Sequence, residues 1–380
     1  SRKELQIEVE NLQAERKKLS SEFGKLKASG EDTSDLKKVI DKKNSDLEKK
    51  DSELQEVLKN LNNLLLDMPN IPHDSVPEGL SEEDNKIVSK HGEIISTNTL
   101  DHLEITKKID IELAAKLSGS RFAVLEGDLA KLQRSLITFM LDCAIQNGYK
   151  EYYVPFMANE ESLTGTGQLP KFEEDLFKTS DKLYLIPTAE VPLTNLFRNE
   201  FLNEKDLPIK VTSHTPCFRS EAGSYGKDTR GLIRQHQFEK IELVQITHPN
   251  DSMDCLENLL NNACEILNKL ELPYQIVELC TGDLGFSSAK TFDIEVWMPS
   301  QNKYREISSC SNFTDFQARR SNIKFKSKEG NSFAHTINGS GLAVGRCLIA
   351  LIENNFDGKD TINIPNCLEQ YFGSNEIKIS

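Results

Sequence analysis

Three features of this chain point to an α+β architecture, an antiparallel sheet flanked by helices, with an antiparallel two-helix coiled-coil arm at its N-terminus. Apolar residues follow a 4,3 alternation through the first 68 positions and are interrupted once by a short polar turn. A proline-bearing stretch from Pro69 to Gly79 then ends helical continuity. Beyond it, helical and β-rich patterns interleave without regular alternation, which favours an antiparallel sheet over a doubly wound parallel one. The expected division is an arm at 1–68, a linker and entry to the body at 69–100, and a body at 101–380.

In the first helix of the arm the apolar stripe runs Leu5, Val9, Leu12, Leu19, Phe23 and Leu26, with Arg16 in the skipped position. Residues Ala28 to Asp32 break it, and Thr33 or Ser34 can cap the second helix. The second stripe takes Leu36, Ile40, Leu47, Leu54, Leu58, Leu61, Leu65 and Met68. So short a connection forces the two helices antiparallel. Heptads more often build dimerisation rods, but a hairpin buries its own seam, so a protruding arm explains this one better. At ~1.5 Å per residue the second helix would reach roughly 50 Å, while the first is shorter and starts in mid-pattern. That mismatch predicts that part of the first helix lies outside the sequence.

In the body, amphipathic helical patterns lie near 110–117, 128–147 and 251–270, and β-rich runs at Tyr152–Met157, Lys240–Ile246 and Phe292–Met298. The net charge of −14 argues against non-specific DNA binding, whose footprints are basic. Residues 1–66 hold 14 basic and 14 acidic side chains, so the arm is neutral and the body carries the whole imbalance. Local basic patches on a shaped RNA remain compatible with it. No apolar run approaches the ~20 residues of a membrane span, and no basic-then-apolar leader opens the chain. Eight cysteines are scattered without C-x-x-C pairs or histidines at zinc spacing, which reads as reduced thiols in a cytoplasmic protein.

Four segments carry chemistry. Cys217-Phe218-Arg219-Ser220-Glu221-Ala222-Gly223, with Gln237-Phe238-Glu239-Lys240-Ile241-Glu242 after a glycine-bearing loop, reads as two strands of a hairpin. An arginine aimed from a strand can hold phosphate and carboxylate bidentately, and a nearby ring can stack on adenine. Taken alone, the same residues make an Arg–Glu ladder on an exposed hairpin. Asn338-Gly339-Ser340-Gly341-Leu342-Ala343-Val344-Gly345-Arg346 precedes an apolar helix, Cys347 to Ile352, and by itself such a turn more often just packs a buried helix. Tyr304 to Asn312 carries Glu306 and Ser309, a carboxylate and a hydroxyl suited to a hard divalent cation beside phosphates. Three positions apart on a strand they would face opposite sides, so convergence requires a bend or bulge at Ile307–Ser308. Pro187-Thr188-Ala189-Glu190-Val191-Pro192 reads alone as a proline-punctuated loop.

In this order and wording the segments resemble class II aminoacyl-tRNA synthetases, and in detail the bacterial-type seryl-tRNA synthetase family, over residues 1 to about 375. The helix near 128–147 with Tyr152-Tyr153-Val154-Pro155 is similar to the dimer-forming motif 1, though its periodicity fits any buried amphipathic helix. The resemblance implies ATP-dependent ligation of serine to tRNA(Ser), with the selenocysteine tRNA left open. It implies a catalytic pair, Arg219 on the α-phosphate and Arg346 on the terminal phosphate. ATP would also meet Ser220, Glu221 at the adenine amino group, Phe238 at the adenine face, and Glu306, Ile307, Ser308 and Ser309. Serine would be held by Thr188, Ala189, Glu190, Glu242 and Ser340, and Mg2+ by Glu306 and Ser309.

The same resemblance implies tRNA contacts from the arm and from Lys227, Arg230 and Arg234 in the motif 2 loop, where a solvated basic loop is the plain alternative. It further implies an ordered loop at Gly165 to Phe172 and a homodimer formed through 128–157; the charge and the lack of an apolar span add the expectation of no membrane or DNA partner. Two competing functions share many of these features: a sister synthetase for threonine or proline, and a synthetase-like RNA-binding protein without catalysis. The first should lack the arm, and the second should have lost Arg219, Glu306 or Arg346.

Overall fold

The computed structural model describes residues 1–222, 231–328 and 330–379, which fall into two compact units, Ser1–Met68 and Pro69–Ser380. In the first, the heptad stripes become α1 (Arg2–Ser29) and α2 (Ser34–Leu66). Val9, Leu47 and Leu54 are buried between them, with Leu5, Leu12 and Leu58 packed alongside. Ion pairs Lys43–Glu15 at 2.6 Å and Lys50–Glu8 at 2.9 Å step in opposite sequence directions, as an antiparallel pairing requires. Exposed pairs of this kind set register more than stability. The same register leaves Leu61, Leu65 and Met68 past the end of α1, and all three are exposed.

Gly30 closes α1 in the left-handed region (φ +78°), its N–H reaching the Leu26 and Lys27 carbonyls. The side-chain cap expected of Thr33 or Ser34 is absent. Asp32 takes that role, accepting the Ser34 N–H at 2.9 Å, because the turn places its carboxylate two residues upstream of the first helical amide.

The second unit is organised on eight strands: β1 (Lys86–His91), β2 (Lys150–Glu151), β3 (Ile209–Phe218), β4 (Gln237–Thr247), β5 (Tyr274–Glu278), β6 (Lys290–Met298), β7 (Lys303–Asn312) and β8 (His335–Ala343). They lie in the order β1-β5-β6-β7-β8-β4-β3-β2, antiparallel throughout except for the short β2–β3 pair. The segment 69–100, expected as linker and entry, belongs to this unit: it supplies edge strand β1, and the Asn70 and His73 amides bond the Phe286 and Ala289 carbonyls. The run Tyr152–Met157 is not a continuous strand. Its strand segments are only Lys150–Glu151 and Met157–Ala158, with Pro155, which has no amide hydrogen, between them.

Helices α3 (Asp128–Gln146), α5 (Ser252–Lys269) and α7 (Val344–Asn355) cover one face of the sheet. On β4, Ile241 and Leu243 point into that core, so alternation sends Phe238, Lys240 and Glu242 to the opposite face. There the short helices α4 (Glu190–Asn195) and α6 (Phe316–Ser321) form a smaller layer through Ala189, Leu193 and Ala318, against Val244 and Ile246. Gly339 on β8 serves the helix side. A Cβ there would stand 2.6 Å from Leu259 Cδ2 and 2.8 Å from Cys310 Sγ, so only glycine lets α5 sit this close.

Candidate active site

A cavity of about 330 Å³ opens on the face away from the three large helices, and Arg219, Glu306 and Arg346 all line it despite their separation in the chain. Arg219 leaves the end of β3 with its guanidinium 5.3 Å from the Phe238 ring centroid and its Nε donating to the Pro187 carbonyl at 3.4 Å. Arg346 sits in the first turn of α7, where Nε donates to the Ile233 carbonyl at 3.2 Å and Nη1 to the Glu306 carbonyl at 2.5 Å. Its Nη1 also lies 3.6 Å from Glu306 Oε2. Glu221 accepts from Arg234 at 2.9 Å across the cavity mouth.

The bend demanded of β7 is present. Ser308 pairs with Ile294 and Glu306 with Glu295, so Ile307 bulges out and Glu306 and Ser309 come to line the same cavity. Ser309 lies opposite Asp293 and hydrogen-bonds it; burial, with Glu306 nearby, pushes the Asp293 acid well above the usual carboxylate range.

Thr188, Glu190, Glu242 and Ser340 line the deeper part. Thr188 Oγ1 donates to Glu242 Oε2 at 2.7 Å, and Gln317 Nε2 donates to Glu190 Oε1 at 2.6 Å. Burial, then the charge of Glu242, raises the Glu190 carboxyl to about 7, against the opposing pull of Gln317, Lys240 and Asn338.

Three residues expected at the site are not part of the cavity wall. Ala189 is fully buried in the core behind it, being on the inner side of the turn into α4. Ser220 turns away from the cavity, its hydroxyl donating to the Glu174 carbonyl, because β3 ends at Phe218 and the strand alternation ends with it. Ser308 follows the bulged residue and points away, donating to the Ser340 carbonyl at 2.7 Å. Lys227 and Arg230 lie outside the described residues. Lys240 and Asn338, which lie in the quoted segments without an assigned role, join the site, as does Gln317, which no motif announces; the alternation Phe238, Lys240, Glu242 already places the lysine on the cavity face.

The loop between β3 and β4 re-enters the sheet at a buried anchor. His102 donates from Nδ1 to Glu353 on α7 at 3.0 Å and accepts the Leu232 N–H on Nε2 at 3.2 Å. Gly231 beside it has φ +77° and no room for a Cβ against the His102 ring. Gly231→Ala is therefore expected to cost roughly 2 kcal/mol or more of stability, read by thermal denaturation.

Two domain families match the chain: the seryl-tRNA synthetase N-terminal domain over residues 1–72, and the class II tRNA synthetase core domain (G, H, P, S and T) over 171–355. Serine--tRNA ligase of Hydrogenovibrio crunogenus is 52% identical over 391 residues, covering 99% of this chain and 91% of the relative. The chain belongs to the seryl-tRNA synthetase family. Its activity is the family's, ATP-dependent ligation of serine to tRNA with release of AMP and pyrophosphate. Among solved structures, seryl-tRNA synthetase from Pyrococcus horikoshii complexed with ATP superposes with TM-score 0.88 at 37% identity, over 100% of this chain and 91% of that one. Cytoplasmic serine-tRNA ligase from Naegleria fowleri in complex with AMP gives 0.84 at 30% identity, over the same shares. The threonine, proline and non-catalytic alternatives give way to this match.

Proposed function

We propose that the cavity holds ATP and serine side by side, and the convergence of Arg219, Glu306 and Arg346 is the observation that carries this reading. Arg219 holds the α-phosphate and the serine carboxylate, Phe238 the adenine face, Glu221 the adenine amino group, and Arg346 the terminal phosphate. Thr188 and Glu190 take the serine ammonium, while Glu242 and Ser340 meet its hydroxyl. A serine carboxylate oxygen attacks the α-phosphorus and pyrophosphate leaves. The terminal ribose hydroxyl of tRNA then attacks the seryl carbonyl and AMP leaves. No side-chain nucleophile is needed, so positioning and charge stabilisation carry the rate.

The donor set at the β7 bulge fits Mg2+. One carboxylate and one hydroxyl, both hard oxygens on one face, suit an ion that completes its shell with phosphate oxygens and water. Bound at Glu306 and Ser309, Mg2+ would neutralise phosphate charge.

Glu190 gives this reading a pH signature. Below about 7 its carboxyl is neutral and offers the ammonium no charge; above that it ionises. Its raised value means that stability present at lower pH is lost as pH rises through about 7 in the empty protein, and serine binding offsets that loss. The kcat/KM for serine should climb with pH through about 7, and Glu190→Gln should flatten that limb. An unchanged limb in the variant would remove Glu190 from the ammonium site.

The arm and the loop between β3 and β4, including Arg234, are assigned to tRNA, and the 128–157 region to a second copy of the chain. Ile145, Tyr153 and Met157 leave apolar surface exposed there. Sedimentation should show a dimer that Tyr153→Glu weakens; a monomer at micromolar concentration would reject the pairing. Among the described residues no helix is long and apolar enough to cross a membrane. All eight cysteines are unpaired and seven are buried, which fits a reducing, cytoplasmic setting.

A further inference from the structure

The cavity contains a cation that none of these roles uses. Lys240 stands between Phe238 and Glu242 on the cavity face of β4, with its side chain only 9% exposed. Its Nζ lies 2.5 Å from Glu242 Oε2 and donates to Thr188 Oγ1 at 2.9 Å. Thr188 Oγ1 in turn donates to the same Glu242 oxygen at 2.7 Å. The three side chains close a ring in which Oε2 accepts twice, while Oε1 has no hydrogen bond among the described residues.

Burying an ammonium is unfavourable unless its charge is answered, and replacing a buried ion pair by apolar groups is often neutral for stability. The fold therefore has little need of a lysine at this position of a central strand. A lysine there changes what Glu242 can do. An ionised carboxylate with one oxygen saturated is an acceptor only at the other. Without the lysine, the carboxyl is free to turn and to share the Thr188 hydrogen through either oxygen.

We propose that Lys240 is a specificity-determining positioning residue of the serine pocket: by saturating Glu242 Oε2 it leaves Oε1 as a fixed acceptor, so the pocket selects an amino acid whose side chain donates a hydrogen bond. This rests on the assignment of Glu242 to the substrate hydroxyl. Alanine and glycine would leave Oε1 unpaired in a desolvated pocket, and a buried unpaired acceptor discriminates strongly. The other groups facing this corner are Glu190 on α4, Gln317 on α6 and Asn338 on β8, and Lys240 is among those that favour the ionised form of Glu190.

The test is pyrophosphate exchange by the full-length protein with serine and with alanine, comparing wild type, Lys240→Met, Lys240→Arg and Glu242→Gln. In Lys240→Met the KM for serine should rise roughly 10- to 100-fold and the serine-to-alanine ratio of kcat/KM should fall by a similar factor. The KM for ATP should stay within about 3-fold, a split that a merely structural lysine would not produce. Lys240→Arg, which keeps the charge, should hold the ratio within about 5-fold. Should the Met variant not fold, Lys240→Gln carries the same expectation. An unchanged ratio in Lys240→Met, or a lower KM for serine, would overturn the proposal, the latter meaning that the lysine only occupies the place of the substrate ammonium. A ratio lost in Glu242→Gln but kept in Lys240→Met defeats the lysine's role alone; a ratio kept in Glu242→Gln defeats the Glu242 assignment beneath it.

Discussion

Arg219→Ala should lower serine-dependent pyrophosphate exchange by about 10³-fold or more, since loss of one preorganised donor at a developing charge already costs about 10²- to 10³-fold. This guanidinium can serve two anions at once, and it is held ready by Phe238 on one side and the Pro187 carbonyl on the other. A lysine in its place would keep the charge but not the planar fork, and Arg219→Lys should recover only part of the rate. Exchange within about 10-fold of wild type in Arg219→Ala would take the α-phosphate away from this residue.

Deleting residues 1–68 should leave exchange within about 2-fold and lower charging of serine tRNA by at least ~100-fold. The buried residues of the arm, Val9, Leu47 and Leu54, belong to none of the clusters that build the body, so adenylate chemistry does not draw on them. If arm and active site engage one RNA, each raises the effective concentration of the other, and linked contacts of that kind are worth about 10²- to 10⁴-fold. If the arm meets tRNA phosphates, its contribution should also fade with added salt. Equal losses in exchange and charging would instead mean that the deletion damages the body.

What could be read in the sequence was what periodicity and local chemistry control. The 4,3 stripes gave both arm helices within a residue or two, and the patterns at 128–147 and 251–270 gave two of the three helices that cover the sheet. Spacing alone showed that Glu306 and Ser309 needed a bulge, and Ile307 provides it. What depended on the path of the chain between elements was not legible. Ser220 and Ser308 sit in the right motifs but point away from the cavity, because a strand end and a bulge each reverse a side chain without changing the residue. Edge strand β1 hid in a segment that its prolines made look like a tether. Gln317, which fixes Glu190, comes from α6, more than a hundred residues away, and nothing local marks it. Lys240 was within reach of a simple alternation argument.

The most direct test of the shared cavity is equilibrium binding of a non-hydrolysable seryl-adenylate by calorimetry, with wild type beside Arg219→Ala, Arg346→Ala and Glu242→Gln. One cavity serving both substrates predicts a single site per chain, weakened in all three variants, and blocked in the wild type by either ATP or serine in excess. Tight binding that survives Arg219→Ala and Arg346→Ala together, or that ATP displaces and serine does not, would show that these residues do not surround one adenylate.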